Sequence, residues 1–136
     1  MKTFKLEAVT PEKIAYSEDV ESVVVPGKEG SLGILADHAP LMVELTTGEG
    51  TVREATGKTF KFAVSGGFME VSNNVVRILA DTIERHDEID IERARAAAKR
   101  AQERIRASTQ EDVDFQRAEA ALKRALTRIR VAESDG

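Results

Sequence analysis

A chain of 136 residues with a net charge of −4 is sized for one ordinary domain or two small ones. Hydrophobic residues make up 41% and charged residues 32%, which suits a modest core under a well-solvated surface, while 4% aromatics and no Trp argue against an aromatic-lined ligand pocket or a base-stacking platform. Cysteine is absent, which excludes disulfides, iron–sulfur clusters, zinc ribbons and a thiol nucleophile.

From the start, residues 1–7 carry no apolar signal-peptide core, and no later stretch approaches the ~20 apolar residues of a bilayer span. Any link to a membrane is therefore expected to run through a partner. Strands come next. Phe4, Leu6 and Ala8 alternate with Lys5, Glu7 and Val9; Leu41, Val43 and Leu45 repeat the spacing, as do Phe60, Phe62 and Val64, and Val76, Ile78 and Ala80. A period of two buries one face and wets the other. The run Val23, Val24, Val25 is apolar on both faces and reads as a more deeply buried strand. Turn residues separate these runs at Pro26-Gly27, Thr47-Gly48-Glu49-Gly50, Gly57-Lys58, Gly66-Gly67 and Asn73-Asn74. Many short strands with no helix-length interruption predict a sandwich or barrel over residues 1–85.

From residue 86 the pattern changes. Gly and Pro vanish until the last residue, and Ala becomes frequent. Ile91, Ala94, Ala98, Ala101 and Ile105 form one seam at helical spacing; Phe115, Ala118, Leu122, Ala125, Ile129 and Ala132 form a second. Between them Ser108 and Glu111 fit a capping box. Acidic residues open each helix: Asp87, Glu88, Asp90 and Glu92 in the first, Asp112 and Asp114 in the second. Lys123, Arg124, Arg128 and Arg130 follow toward the second helix's end, complementing the macrodipole. The expected fold is α+β: an N-terminal antiparallel β-sandwich, residues 1–85, followed by a C-terminal antiparallel helical hairpin, residues 86–136, with its loop near 107–111. An Ala in a seam contributes one methyl, about 0.8 kcal/mol, where a buried Leu gives about 1.5–3 kcal/mol. Each helix is thus well specified locally while the pair is lightly held. That suits an element that opens without unfolding, and equally a small hairpin docked statically on the sandwich.

Charge divides along the same line. Residues 1–86 hold nine Lys and Arg against thirteen Asp and Glu, and residues 87–136 hold eleven of each, so the sandwich half is a poor nucleic-acid binder. Catalytic motifs fail on inspection. Gly57-Lys58-Thr59 lacks the P-loop glycine, since position 52 is Val, and Gly48 and Gly50 are followed by Arg53 rather than a third glycine. His38 and His86 are the only histidines, neither has a second histidine or a cysteine at metal-ligand spacing, and Asp87 to Asp90 lack the rest of a calcium loop. No catalytic residue and no metal site is assigned.

Three ordered motifs carry a resemblance over nearly the whole chain: Glu29-Gly30-Ser31-Leu32-Gly33-Ile34-Leu35-Ala36-Asp37-His38-Ala39-Pro40-Leu41, then Ala63-Val64-Ser65-Gly66-Gly67-Phe68-Met69-Glu70-Val71, then Ile89-Asp90-Ile91-Glu92-Arg93-Ala94. The chain resembles the epsilon subunit of bacterial F-type ATP synthase, whose mitochondrial counterpart is called delta. The resemblance implies a non-catalytic rotor part on the cytoplasmic face of the plasma membrane. It would bind the gamma subunit and the c-ring and couple proton-driven c-ring rotation to ATP synthesis, with a hairpin that inhibits ATP hydrolysis when extended along gamma toward the alpha and beta subunits of the catalytic head. Ser31, Asp37 and His38 would face the c-ring, although Ser31 replaces a commonly acidic residue and Ala36-Asp37 a common Pro-Gly. Ile89, Asp90, Arg93 and Ala94 match an ATP-binding motif of some members, and Glu84, Arg100, Arg124 and Arg128 would complete that site around a regulatory ATP; no cofactor is otherwise required. Arg117, Lys123, Arg124 and Arg128 would meet the catalytic subunits. The competing expectations are a free-standing nucleotide sensor and a peptide-binding scaffold.

Overall fold

The computed structural model describes residues 2–109 and 113–134. Nine strands come first: β1 (Phe4–Val9), β2 (Ile14–Gly27), β3 (Gly30–Leu35), β4 (Leu41–Glu44), β5 (Gly48–Glu54), β6 (Thr59–Ser65), β7 (Phe68–Ser72), β8 (Val75–Leu79) and β9 (Thr82–Arg85). A 3₁₀ turn, His86–Glu88, leads to α1 (Ile91–Ala107) and α2 (Val113–Ala132).

The strands pair in the order β4-β7-β8-β1-β2-β5-β6-β9, with β3 also on β2. The 14-residue β2 serves both layers of the sandwich. Its first half pairs with β1, and its second half with β3 and β5 after a register shift between Val20 and Ser22. Such an irregularity bends a strand and sharpens its twist, which carries β2 from one layer into the other. Every ladder is antiparallel except β1 on β8, which is parallel. The core is one cluster in which Phe4, Leu6, Val23, Ile34, Phe60, Met69 and Ile78 are each 2% exposed or less, and no residue of α1 or α2 belongs to it.

The alternating rows predicted for β1, β4, β6 and β8 all point inward as expected. Val24 does not, being 39% exposed between the buried Val23 and Val25. Over Val23 to Val25 burial alternates, because the outer face at Val24 is not covered by another layer. The expected turns at Pro26-Gly27 and Thr47 to Gly50 are also displaced. Pro26 and Gly27 lie in β2, and Gly48 and Gly50 lie in β5. A Cβ at Gly50 would sit 2.2 Å from the Phe62 ring, and one at Gly48 would sit 2.7 Å from Pro26. These glycines admit neighbouring side chains rather than turn the chain.

Ser108 closes α1 as its C-cap, its N–H directed at the Ile105 carbonyl, and the capping box expected at the start of α2 falls partly outside the described residues. Asp112 and Glu111, expected near that start, lie outside the described residues. Arg95 near the start of α1 meets Glu133 just past the end of α2 at 3.4 Å, which fixes the antiparallel arrangement. Ala94, Ala98 and Ala101 are buried against α2, and Ala118 and Ala125 are buried on α2. α2 carries a second stripe that the seam did not reveal: Thr127 and Val131 are also buried, on the side that meets β5, β6 and the 3₁₀ turn. α2 is thus the middle layer, with α1 on one side and the sandwich on the other.

At the junction, the Arg85 guanidinium lies 4.3 Å from the centre of the Phe60 ring, and the Arg85 N–H donates to Glu88 Oε1 at 2.9 Å. Beside them Tyr16, the chain's one tyrosine, packs tilted against Phe60 with ring centres 5.5 Å apart and donates its hydroxyl to Glu54 Oε2 at 2.6 Å. Burial, then the hydrogen bond and charge of Glu54, push the Tyr16 phenol well above its usual range. The folded chain holds the phenol neutral where the unfolded chain ionises it, so this contribution to stability is complete below the unfolded value of about 10 and declines as pH climbs above it. In an alkaline titration, phenolate absorbance is expected to rise only together with loss of the circular dichroism signal. Phenolate appearing near pH ~10 in a chain with intact circular dichroism would contradict this.

Candidate functional site

A cleft of about 490 Å³ lies where β6 and β9 face the two helices. That volume falls within the ~300–1,000 Å³ of small-molecule sites. Each wall follows from local structure. β9 pairs with β6 so that Glu84 stands opposite Ala63, at the free edge of the layer. Asp90 caps α1, its Oδ1 accepting the Arg93 N–H at 3.1 Å, and this starts the helix in the register that turns Arg93 into the cleft. α2 returns antiparallel and presents Arg124 and Arg128 one turn apart on the same side. Between these charged groups Ala97, Ala121 and Ala125 leave room that larger side chains would fill.

Glu84 and Arg128 form a two-point ion pair: Nε to Oε1 at 2.7 Å, with Nη2 donating to Oε2 at 3.1 Å. Both side chains are a little under one-third exposed, so water screens the pair less than it would at the surface. It ties the last strand to the last helix across 44 positions of sequence. The lining holds four cations, Lys13, Arg93, Arg124 and Arg128, and three carboxylates, Glu12, Asp81 and Glu84. Among the described residues, Glu84 and Arg128 are the members of this set joined in an ion pair. Lys13, Arg93 and Arg124 keep their charges available to an anion.

Of the residues expected around a nucleotide, the structure gathers Glu84, Arg93, Arg124 and Arg128 in this cleft. The other four are elsewhere. Ile89 ends the 3₁₀ turn, Asp90 is committed to the cap, and Ala94 is fully buried under α2. Arg100 is exposed and lies about 10 Å farther along α1 than Arg93, past Ala97, the last α1 residue of the lining.

The residues expected to face the c-ring are not gathered in one place. Ser31 is the second residue of β3, beside the β2–β3 turn, while Asp37 and His38 follow its far end. Ser31 and Leu35 alone are about 13 Å apart along the strand. Asp37 has a φ of 63°, its N–H is held by Asn74 Oδ1 at 2.7 Å, and its carboxylate meets Lys2 at 3.4 Å. His38 Nδ1 lies 2.7 Å from the Ala39 carbonyl. All three residues are exposed or half-buried. Of the residues expected to meet the catalytic subunits, Arg117 is exposed near Asp114, Lys123 reaches Thr46 Oγ1 at 3.4 Å, and Arg124 and Arg128 face the cleft. The docked hairpin therefore turns three of these four toward the sandwich.

Sequence reasoning missed the sandwich wall of the cleft: Thr10, Glu12 and Lys13 from the β1–β2 turn, and Ser65, Asp81 and Thr82, with the Ser65 and Thr82 hydroxyls hydrogen-bonded to each other. No local pattern marks these residues. The buried Thr127 had a signal in its i, i+4 spacing to Val131.

Comparison with known proteins places these features in a family. Residues 3–86 match the family "ATP synthase, Delta/Epsilon chain, beta-sandwich domain", and residues 87–133 match "ATP synthase, Delta/Epsilon chain, long alpha-helix domain". The ATP synthase epsilon chain of Desulforamulus reducens is 53% identical over 110 residues, covering 81% of this chain and 83% of its own. That of Pelotomaculum thermopropionicum is 53% identical over 108 residues, covering 79% and 80%. A chain in the structure of Euglena gracilis mitochondrial ATP synthase, OSCP/F1/c-ring in rotational state 1, superposes with a TM-score of 0.82 at 24% identity, over 97% of this chain and 82% of that one, and shares its fold.

Proposed function

Because the chain belongs to the ATP synthase delta/epsilon chain family, we propose that it is a non-catalytic central-stalk subunit whose sandwich engages the gamma subunit and the c-ring and whose hairpin regulates ATP hydrolysis through a bound ATP. It sits at the cytoplasmic face of the membrane as a peripheral part. Among the described residues no helix is long and apolar enough to cross a bilayer, and attachment runs through partners.

The observation that carries the regulatory reading is the cleft itself. Arg93, Arg124 and Arg128 come from two helices and Glu84 from the sandwich, so they share one space only while the hairpin is docked. Guanidinium groups converging from both helices suit a triphosphate, where charge-assisted and two-point contacts are strongest. The Glu84–Arg128 pair holds the docked form without ligand, and a phosphate competes for Arg128 or shares it with Glu84. ATP bound to the docked hairpin alone stabilises it by RT ln(1 + [L]/Kd), about 2.7 kcal/mol at a hundredfold excess over Kd. At low ATP the hairpin is free to lift, and Arg117, Lys123, Arg124 and Arg128 then become available to acidic surfaces of the catalytic head. The two uses of Arg124 and Arg128 exclude each other, which is the logic of a switch.

Calorimetry on the intact chain tests this. ATP is expected to bind, and Arg93→Ala is expected to weaken it by about tenfold or more, as loss of a charge-assisted contact does. Asp90→Ala acts through the helix start, weakening binding by less while lowering hairpin stability by about 1 kcal/mol. No heat with ATP removes the nucleotide part of the proposal and leaves the rotor part standing.

A further inference from the structure

The β1–β2 turn closes the cleft from the sandwich side, and nothing in the nucleotide reading so far uses it. Thr10, Glu12 and Lys13 belong to the lining with Arg93 and Arg124. The turn is fixed by its own backbone. The Thr10 N–H donates to the Lys13 carbonyl at 2.9 Å, the Glu12 N–H is 3.4 Å from Thr10 Oγ1, and the Ala80 N–H donates to the Val9 carbonyl at 3.0 Å, which ties the turn's root to the strand end before Asp81. Lys13 is exposed, and among the described residues it has no carboxylate partner. An exposed ammonium on a hydrogen-bonded turn, lining the same cleft as two guanidinium groups without an ion pair, suits a point charge for a polyanion.

Resting on the nucleotide reading above, we infer that Lys13 is a direct phosphate contact of that site, and that the ligand bridges the β1–β2 turn to both helices. Glu12, on the same turn and the same cleft, opposes it. The turn therefore sets affinity through two charges of opposite sign. A ligand held by Lys13 on the sandwich and by arginines on α1 and α2 cannot keep all its contacts once the hairpin lifts. This makes the site selective for the docked state.

The test is calorimetry of the intact chain with ATP, AMP and inorganic triphosphate at two salt concentrations. Lys13→Gln is expected to weaken ATP and triphosphate by about tenfold, to change AMP much less, and to flatten the salt dependence. Lys13→Arg retains binding, and Glu12→Gln tightens it. Lys58→Gln, on the β5–β6 turn and outside the cleft lining, serves as the control for net charge and leaves affinity unchanged. Equal ATP affinity in wild type and Lys13→Gln overturns the inference, as does a shift of the same sign in Lys13→Gln and Glu12→Gln, or an equal loss in Lys58→Gln. A wild-type chain that binds none of the three ligands overturns the nucleotide reading and this contact with it.

Discussion

Truncation after Glu88, removing α1 and α2, is expected to leave the sandwich folded and to raise ATP hydrolysis of the reassembled complex by about fivefold or more. The first half of this expectation follows from packing. The core cluster runs from Phe4 to Ala80, with Ile83 against it, and draws on neither helix. The sandwich loses the cover that α2 gives to β5, β6 and the 3₁₀ turn, together with the Glu84–Arg128 ion pair and the Lys123–Thr46 contact. The second half follows from the proposed role. An inhibitory element coupled to a distant site shifts it by about 1–3 kcal/mol, or about 5–150-fold. The truncated chain also loses ATP binding, because Arg93, Arg124 and Arg128 are gone and Glu84 with Lys13 make one wall rather than a cleft. Circular dichroism and urea unfolding report the fold, calorimetry the binding, and phosphate release by the complex the activity. Unchanged hydrolysis with a folded sandwich would leave the hairpin without an inhibitory function.

Gly67→Ala is expected to be the most damaging single methyl in the sandwich, costing about 3–5 kcal/mol. Gly67 joins β6 to β7 at a φ of 105°, and a Cβ there would lie 2.0 Å from the Leu79 carbonyl oxygen and 2.7 Å from the Ala80 Cα. These are backbone atoms, and they cannot turn aside as a side chain does. The Gly67 carbonyl also accepts the Leu45 N–H at 2.8 Å, so displacement of the turn breaks the link to β4. Gly57→Ala separates the two components of the cost. Its φ is 90°, equally unfavourable for an L-residue, yet a Cβ would meet nothing within 4 Å. That change is expected to cost about 1 kcal/mol. Urea midpoints for the two variants measure the difference; similar values would mean that φ strain alone, without the clash, sets the effect.

The helices illustrate how far one-dimensional reading reaches. Their seams were legible because a helix repeats every 3.6 residues, so Ala94, Ala98 and Ala101 fall on one side whatever they pack against. Thr127 and Val131 were not picked out, since the seam accounted for one partner and α2 has two. Strands were legible for the same reason at period two. Their exceptions came from neighbours remote in sequence: Val24 is exposed because no third layer covers it, and Gly50 stays in a strand because Phe62 fills its side-chain space. The family resemblance selected Glu84, Arg93, Arg124 and Arg128, which do converge, together with Arg100, which lies beyond the cleft.

Local repeats, charge order along the helices and the three motifs belong to the chain as a string, since they depend on covalent geometry and short-range sterics that any conformation of these segments must obey. The cleft does not. Its walls come from the β1–β2 turn, the β6–β9 edge and two helices, and Glu84 meets Arg128 across 44 residues. Contacts at that separation arise only when burial of Thr127 and Val131 seats α2 on the sandwich. No period along the backbone encodes which charge a docked helix will face.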